Sequence, residues 1–463
     1  MKLLSTIFSM LILVSIVSAD STFTFDVQET TRPSGKVQGI EALLKSRADD
    51  ESSAEEPPKE IVEQYSLTVA MGDQFIEVHD EQAVKIYDFE KKHITVLNKA
   101  DKTGITMSLF SDLGFRKAEF ANRLKIAEVI KSAGLQSEQG ITSSAIIEHQ
   151  FSLLADKDQK VIQEEKDGTV QYSVGDTLLF GYTGGKTKIT AWQRERVIVF
   201  LRYKYGVHPL VVGELAEMET IPGEMTIYHY FPEPKDVKIT LQAVGDVGER
   251  TLFEGYSLNE AGSDEVTAIT AGVSADRKQD YDKACKLIIE RAVAAAKESN
   301  NLEAVTLFLG YTLLAGAELP REFYQYRDQL TSDPDGQALI GSLSPRNEDE
   351  AQKAIETFDK LAEKVKHGKP FIYVYKANIH GSIGQYHEAM KLFLMAVKTE
   401  PMLVGAWKDL GDLYYNNYET AQAWYCWDFG RSLNPEHSLF TPINKMEKSM
   451  MKDHPGFFLV EEQ

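Results

Sequence analysis

The sequence predicts an α+β N-terminal region, an antiparallel sheet with inserted helices, followed by an all-α C-terminal helical-repeat array. Three observations carry that expectation. Between Gln64 and Val244, short runs alternate apolar and polar residues, the period-2 pattern of half-buried strands. From about Asp276 the alternation gives way to helix-period runs punctuated by Pro320, Pro334 and Pro345. Near the C-terminus, the chain restates its own pattern after 34 residues.

In chain order, residues 1–19 read as a signal peptide. Met1 and Lys2 precede an apolar run from Leu3 to Val17, and Val17-Ser18-Ala19 supplies small residues for cleavage after Ala19. The run is short for a membrane span. Residues 20–62 read as an acidic flexible linker, from their Thr, Ser, Pro and Gly content and the clusters Asp49-Asp50-Glu51 and Glu55-Glu56-Pro57-Pro58. One short helix is expected in it near Ile40 to Lys45.

Residues 63–245 form the expected α+β domain. Tyr65, Leu67 and Val69 alternate with polar neighbours, and Phe75, Glu77 and His79 continue after a Met-Gly-Asp turn. Val84 to Phe89 and His93 to Leu97 flank Glu90-Lys91-Lys92 as a hairpin would. A helix is expected from about Ser111 to Ala133, with Phe120, Leu124, Ala127 and Ile130 on one stripe and Gly134 as its C-cap. Strands follow at Ile146 to Leu154, Val170 to Val174 and Leu178 to Tyr182. After a mixed stretch from Trp192 to Met218, two more are expected at Met225 to Phe231 and Val237 to Val244. The order of strands and helices suggests α+β. Residues 246–345 are a connecting segment with helices at Tyr281 to Lys297 and Leu302 to Leu314, and residues 346–455 are the repeats.

The formal net charge is −20 at pH 7, which argues against nucleic acid and anionic headgroups as partners. The chain contains no Asn-x-Ser/Thr acceptor. With the leader, this points to an exported protein, periplasmic or secreted, with no transmembrane anchor in the mature chain. Cys285 and Cys426 are the only cysteines, too few for a disulfide scaffold, and both are expected as buried free thiols.

No motif specifies a reaction. Gly181-Tyr182-Thr183-Gly184-Gly185-Lys186-Thr187 lacks the first glycine of a phosphate loop, since Phe180 stands there, and reads as a hairpin turn. His387-Glu388-Ala389-Met390 starts like a zinc-protease helix, but Lys391 occupies the place of the second histidine. Gly255-Tyr256-Ser257-Leu258-Asn259 lacks the closing glycine of a nucleophile elbow. Arg194, Arg196, Arg202 and Lys204, interleaved with Trp192, Phe200, Tyr203 and Tyr205, read as a face that covers a core with snorkelling side chains, ahead of a binding patch. No catalytic residue, cofactor or metal is expected.

The 34-residue echo is specific in its residue types. Tyr373 is answered by Trp407, Ala377 by Gly411, Ala389 by Ala423, Phe393 by Trp427, Ala396 by Gly430 and Pro401 by Pro435. Small residues permit close helix approach, Ala389, Phe393 and Ala396 share one helical face, and each proline ends a helix. This pattern resembles the tetratricopeptide repeat, with Ala351 to Val365 similar to the second helix of a degenerate earlier unit and Leu439 to Met450 as a capping helix. The resemblance implies a scaffold that binds a protein or peptide in a groove lined by Val374, Tyr375, Asn378, Lys408, Asp412, Tyr415 and Asn416. Packing against neighbouring helices is the other role open to these residues. Asn378 matches a position that grips carboxylates in some members, yet Val374 replaces its basic partner, so that clamp is incomplete.

Ile86-Tyr87-Asp88-Phe89-Glu90-Lys91-Lys92, followed by Ile94-Thr95-Val96-Leu97, is faintly similar to periplasmic lipoprotein-carrier-like half-barrels. That similarity implies the alternative function, carriage of a lipid or other apolar ligand in the α+β region.

Overall fold

A computed structural model describes residues 20–32, 60–132, 160–185, 187–230, 234–247 and 253–459. The leader, the helix expected near Ile40, the Gly134 cap and the strand expected at Ile146 to Leu154 lie outside them, as do the side chains of Ala127 and Ile130.

The strands are β1 (Ser21–Thr31), β2 (Ile61–Met71), β3 (Phe75–His79), β4 (Ala83–Asp88), β5 (His93–Asn98), β6 (Thr103–Ser108) and β7 (Val161–Lys166). They continue as β8 (Thr169–Val174), β9 (Thr177–Thr183), β10 (Thr187–Lys188), β11 (Thr220–Ile221), β12 (Glu224–His229), β13 (Lys235–Asp246) and β14 (Ser257–Glu260). Helices among them are α1 (Leu109–Ser132), α2 (Ala191–Tyr205) and α3 (Pro209–Leu215). After β14 come twelve helices among the described residues: α4 (Asp264–Ala271), α5 (Arg277–Lys297), α6 (Asn301–Ala315), α7 (Arg321–Ser332), α8 (Pro334–Gly341) and α9 (Glu348–Ala362), then α10 (Lys369–Ser382), α11 (Tyr386–Thr399), α12 (Val404–Asn416), α13 (Thr420–Leu433), α14 (Thr441–Asp453) and α15 (Pro455–Phe458). An antiparallel sheet region with inserted helices is thus followed by an all-helical array.

The chain divides into two compact units, the first within Met1–Ile86 and Asp158–Gly255, the second within Tyr87–Lys157 and Tyr256–Gln463. The boundary expected at 245 does not coincide with that division, because residues 87–132 pack with the helices.

In the first unit the strand order is β3-β2-β1-β13-β12-β9-β8-β7, every pairing antiparallel. Its centre corrects the linker expectation: β1 lies between β2 and β13, and Phe23 and Phe25 are fully buried. The alternation Phe23-Thr24-Phe25-Asp26-Val27 puts the apolar side chains on one face, and the polar composition of the segment hides that period. Burying each ring is worth about 2–3 kcal/mol, which adds to the ladder hydrogen bonds on both sides of the strand. Helix α2 lies against this face, with Phe25 stacked on Phe200 at 5.8 Å between centroids. A capping box starts the helix: Thr190 Oγ1 accepts from the Gln193 N–H and Gln193 Oε1 accepts from the Thr190 N–H. Gly206 ends it in the left-handed region at φ 62°.

In the second unit β5 pairs antiparallel with β6, and β14 joins β6 in parallel, Ser257 opposite Thr103. This departs from a wholly antiparallel expectation. β14 reaches β6 after more than a hundred intervening residues, and so long a connection leaves strand direction open where a hairpin would fix it. In α1, Leu109, Phe110 and Leu113 are buried, but Leu124 of the expected stripe is 47 % exposed.

The array is built of helical hairpins: α5 with α6, α10 with α11, and α12 with α13. In the last two hairpins the second helix begins 34 residues apart, at Tyr386 and Thr420. Two such hairpins bury too little to stand alone, and α6 supplies the missing surface. The Phe371 ring covers Gly310, the Gly405 backbone lies close to the Leu313 carbonyl, and Tyr375 donates to the Leu309 carbonyl at 3.3 Å. Both cysteines are free; Cys426 is buried, whereas Cys285 is half-buried, short of the expected burial.

Candidate functional site

The echoed residues build the hairpins that position the site. Trp407 is fully buried, donates its indole N–H to the Pro401 carbonyl at 2.8 Å and packs on Phe429 at 4.7 Å. Trp427, on the second helix of the same hairpin, lies over Gly411 and donates to the Lys408 carbonyl at 3.1 Å and to Asp412 Oδ1 at 3.2 Å. These contacts fix the rotation of α12, so Lys408, Asp412, Tyr415 and Asn416, at i, i+4, i+7 and i+8, fall on one side of it.

Those four line a cleft of about 250 Å³ with Trp427 and with Pro442, Ile443 and Met446 of α14. Lys408 bridges Asp412 at 2.6 Å and Asp409 at 3.5 Å. Burial opposes the charge on Lys408, but the bond to Asp412 and both carboxylates hold its pKa above the ordinary lysine value. The Asp409 carboxyl is pushed up to about 6, first by burial, which Lys408 partly offsets and Asp412 reinforces. Tyr415 stands between Trp424 and Trp427, at 5.7 and 5.6 Å, and burial raises its pKa. Asn416 is exposed. The cleft therefore offers an aromatic and aliphatic floor beside a carboxylate and a free amide, a surface able to seat one apolar side chain and bond the adjacent backbone.

The seven residues expected to form one groove do not all meet. Tyr375 packs on Phe358 at 6.4 Å and bonds α6, and Val374 is 2 % exposed, so the first hairpin uses these positions for packing against its own chain. Asn378 is exposed but does not line the cleft. Helix α6 is what Tyr375 meets, through the Leu309 carbonyl.

The wall contributed by α14 was not legible in advance. Ile443 and Met446 are three apart and Met450 four further on, a helical face that the sequence assigns to a cap. What anchors α14 is Glu447: its carboxylate accepts from Trp424 Nε1 at 2.9 Å and from both Arg431 terminal nitrogens at 2.7 and 2.8 Å.

The remaining motifs are structural. Gly181 to Thr183 lie in β9, as part of a strand. Arg196 donates to the carbonyls of Gly72 at 3.0 Å and Asp73 at 2.8 Å and stacks on Trp192, while Arg194 donates to the Met218 carbonyl at 2.8 Å. These basic residues of α2 cover a core. On the same helix Phe200 stacks on Phe25 of β1, and Val197 and Leu201 are buried. Among the described residues, no group of three His, Cys, Asp or Glu is placed to hold a metal ion, and no helix is long and apolar enough to cross a membrane.

Comparison with protein-family models finds no match to this chain, and comparison with curated proteins finds none either.

Proposed function

We propose that this protein is an exported, non-enzymatic adaptor whose tetratricopeptide-like array holds an extended segment of a protein partner. One observation supports the reading: four of the groove residues that the tetratricopeptide resemblance implies line, with α14, a single cleft. Export rests on the leader-like sequence ending at Ala19. The cleft is short, about 250 Å³, so it suits a single anchor side chain and its flanking backbone better than a long peptide. The Lys408–Asp412 pair is the polar rim and Tyr415 the apolar floor.

A photo-crosslinking residue placed at Asn416 of the full-length protein tests this against a pool of displayed peptides. Peptides sharing an anchor residue should crosslink at 416 and not from a control position at Glu388 on the exposed face of α11. Equal labelling from both positions rejects the cleft.

A further inference from the structure

The second unit carries a separate recess of about 300 Å³, bounded by the β4–β5 turn, β6, β14 and the starts of α1 and α5, with α13 as its floor. Its lining is rich in cations, although the whole chain bears a net charge of −20: Lys91, Lys92, Arg277 and Arg431 face Glu260 and Asp428. Not all of these charges are available. Arg431 is engaged by Glu447 and Asp428, and Lys91 reaches Asp88 at 3.6 Å. Lys92 and Arg277 remain, and neither has a carboxylate in ion-pair range among the described residues.

Arg277 is held in position without being neutralised. Its guanidinium lies 4.7 Å over the Phe429 ring, and Nη1 donates to Ser432 Oγ at 3.1 Å. A planar fork fixed in this way keeps its other N–H groups for a ligand. Lys92 is fastened to the opposite wall, where its carbonyl accepts from the Leu109 N–H at 2.7 Å at the start of the 24-residue helix α1. The positive end of that helix therefore adds to the same field. Phe110, buried at 7 % exposure, contributes an apolar surface beside these cations.

We propose that this recess binds a small organic anion, a carboxylate or phosphate monoester carried on an apolar body. Arg277, backed by Phe429, makes the bidentate contact, Lys92 completes the charge, and Phe110 receives the body. Glu260, on the rim, opposes any anion and sets a limit on affinity.

Isothermal titration of the full-length protein with phenyl phosphate and, separately, benzoate at low ionic strength tests the site and distinguishes the two headgroups. At least one should bind, and R277Q should weaken it about ten-fold or more and K92Q about three-fold, since charged hydrogen bonds are the strong ones. E260Q should tighten it about three-fold. Lys92 lies in a surface turn, so K92Q reports on the site even if R277Q fails to fold. No heat from either probe up to millimolar concentration, or equal affinity in wild type, K92Q and E260Q, overturns the proposal.

Discussion

Trp427 lies directly on Gly411: a Cβ at position 411 would fall 2.4 Å from the indole ring and 3.0 Å from the Ala423 carbonyl. In the second hairpin the small residue of the echo thus lets the two helices come this close. Gly411→Ala should destabilise the protein by about 1–3 kcal/mol through overpacking. Urea unfolding measures it; a change below about 0.5 kcal/mol would mean the ring can move aside at no penalty.

A second prediction concerns Glu303 on α6, 4 % exposed. Its carboxylate accepts from the backbone N–H groups of Lys366 and His367 at 2.7 Å and of Gly368 at 3.2 Å, capping the chain where α10 begins. Glu303→Ala would strand three donors, a loss of about 3 kcal/mol or more, whereas Glu303→Gln retains one acceptor oxygen and should lose about half of that. Equal midpoints for wild type and Glu303→Ala in urea would refute the capping role.

The array should also carry a pH signature at Asp409. Its carboxyl is pushed up to about 6 in the folded chain, from an ordinary value of 3.8. The folded state then binds more protons than the unfolded state between those values. This group's stabilising contribution is complete below the unfolded value and is lost as pH rises through about 6. Asp409→Asn should therefore be more stable than wild type at pH 7.5, on the order of 1–2 kcal/mol after solvent screening, and equal to it at pH 4. A difference that does not change between these pH values contradicts the assignment.

Glu447 ties α14 to α13 and so holds the outer wall of the cleft. Its side chain is 11 % exposed and that of Arg431 is 20 % exposed. Removing one partner of a buried pair is expensive, and Glu447→Ala should lose about 3 kcal/mol. Because Ile443 and Met446 sit on the same helix, it should also weaken peptide capture. Lower stability with unchanged capture would detach α14 from the site.

Much of the helical half was legible because its signal is local. The aromatic, small and proline positions of the echo state which residues must touch within one hairpin. The filling of the first hairpin by α6 was not legible, since Gly310, Leu309 and Glu303 carry no mark of the residues they meet more than sixty positions on. Strand β1 was misread for a different reason. Phe23, Phe25 and Val27 do alternate, but Thr, Asp, Gln and Glu between them gave the segment a linker's composition, and composition outweighed period. For the site, the tetratricopeptide resemblance marked Lys408, Asp412, Tyr415 and Asn416, which line one cleft, together with Tyr375, which bonds the chain's own helix α6 instead.

The central claim is that the partner segment is held at the cleft of the second hairpin and not at Tyr375 of the first. Its most direct test is calorimetric affinity of a peptide selected by crosslinking at 416, measured against full-length wild type, Tyr415→Ala and Tyr375→Phe. The account predicts about a ten-fold loss for Tyr415→Ala and no change for Tyr375→Phe, whose hydroxyl bonds the chain's own helix α6 at the Leu309 carbonyl and at Thr312. An affinity that falls with Tyr375→Phe and survives Tyr415→Ala would contradict it.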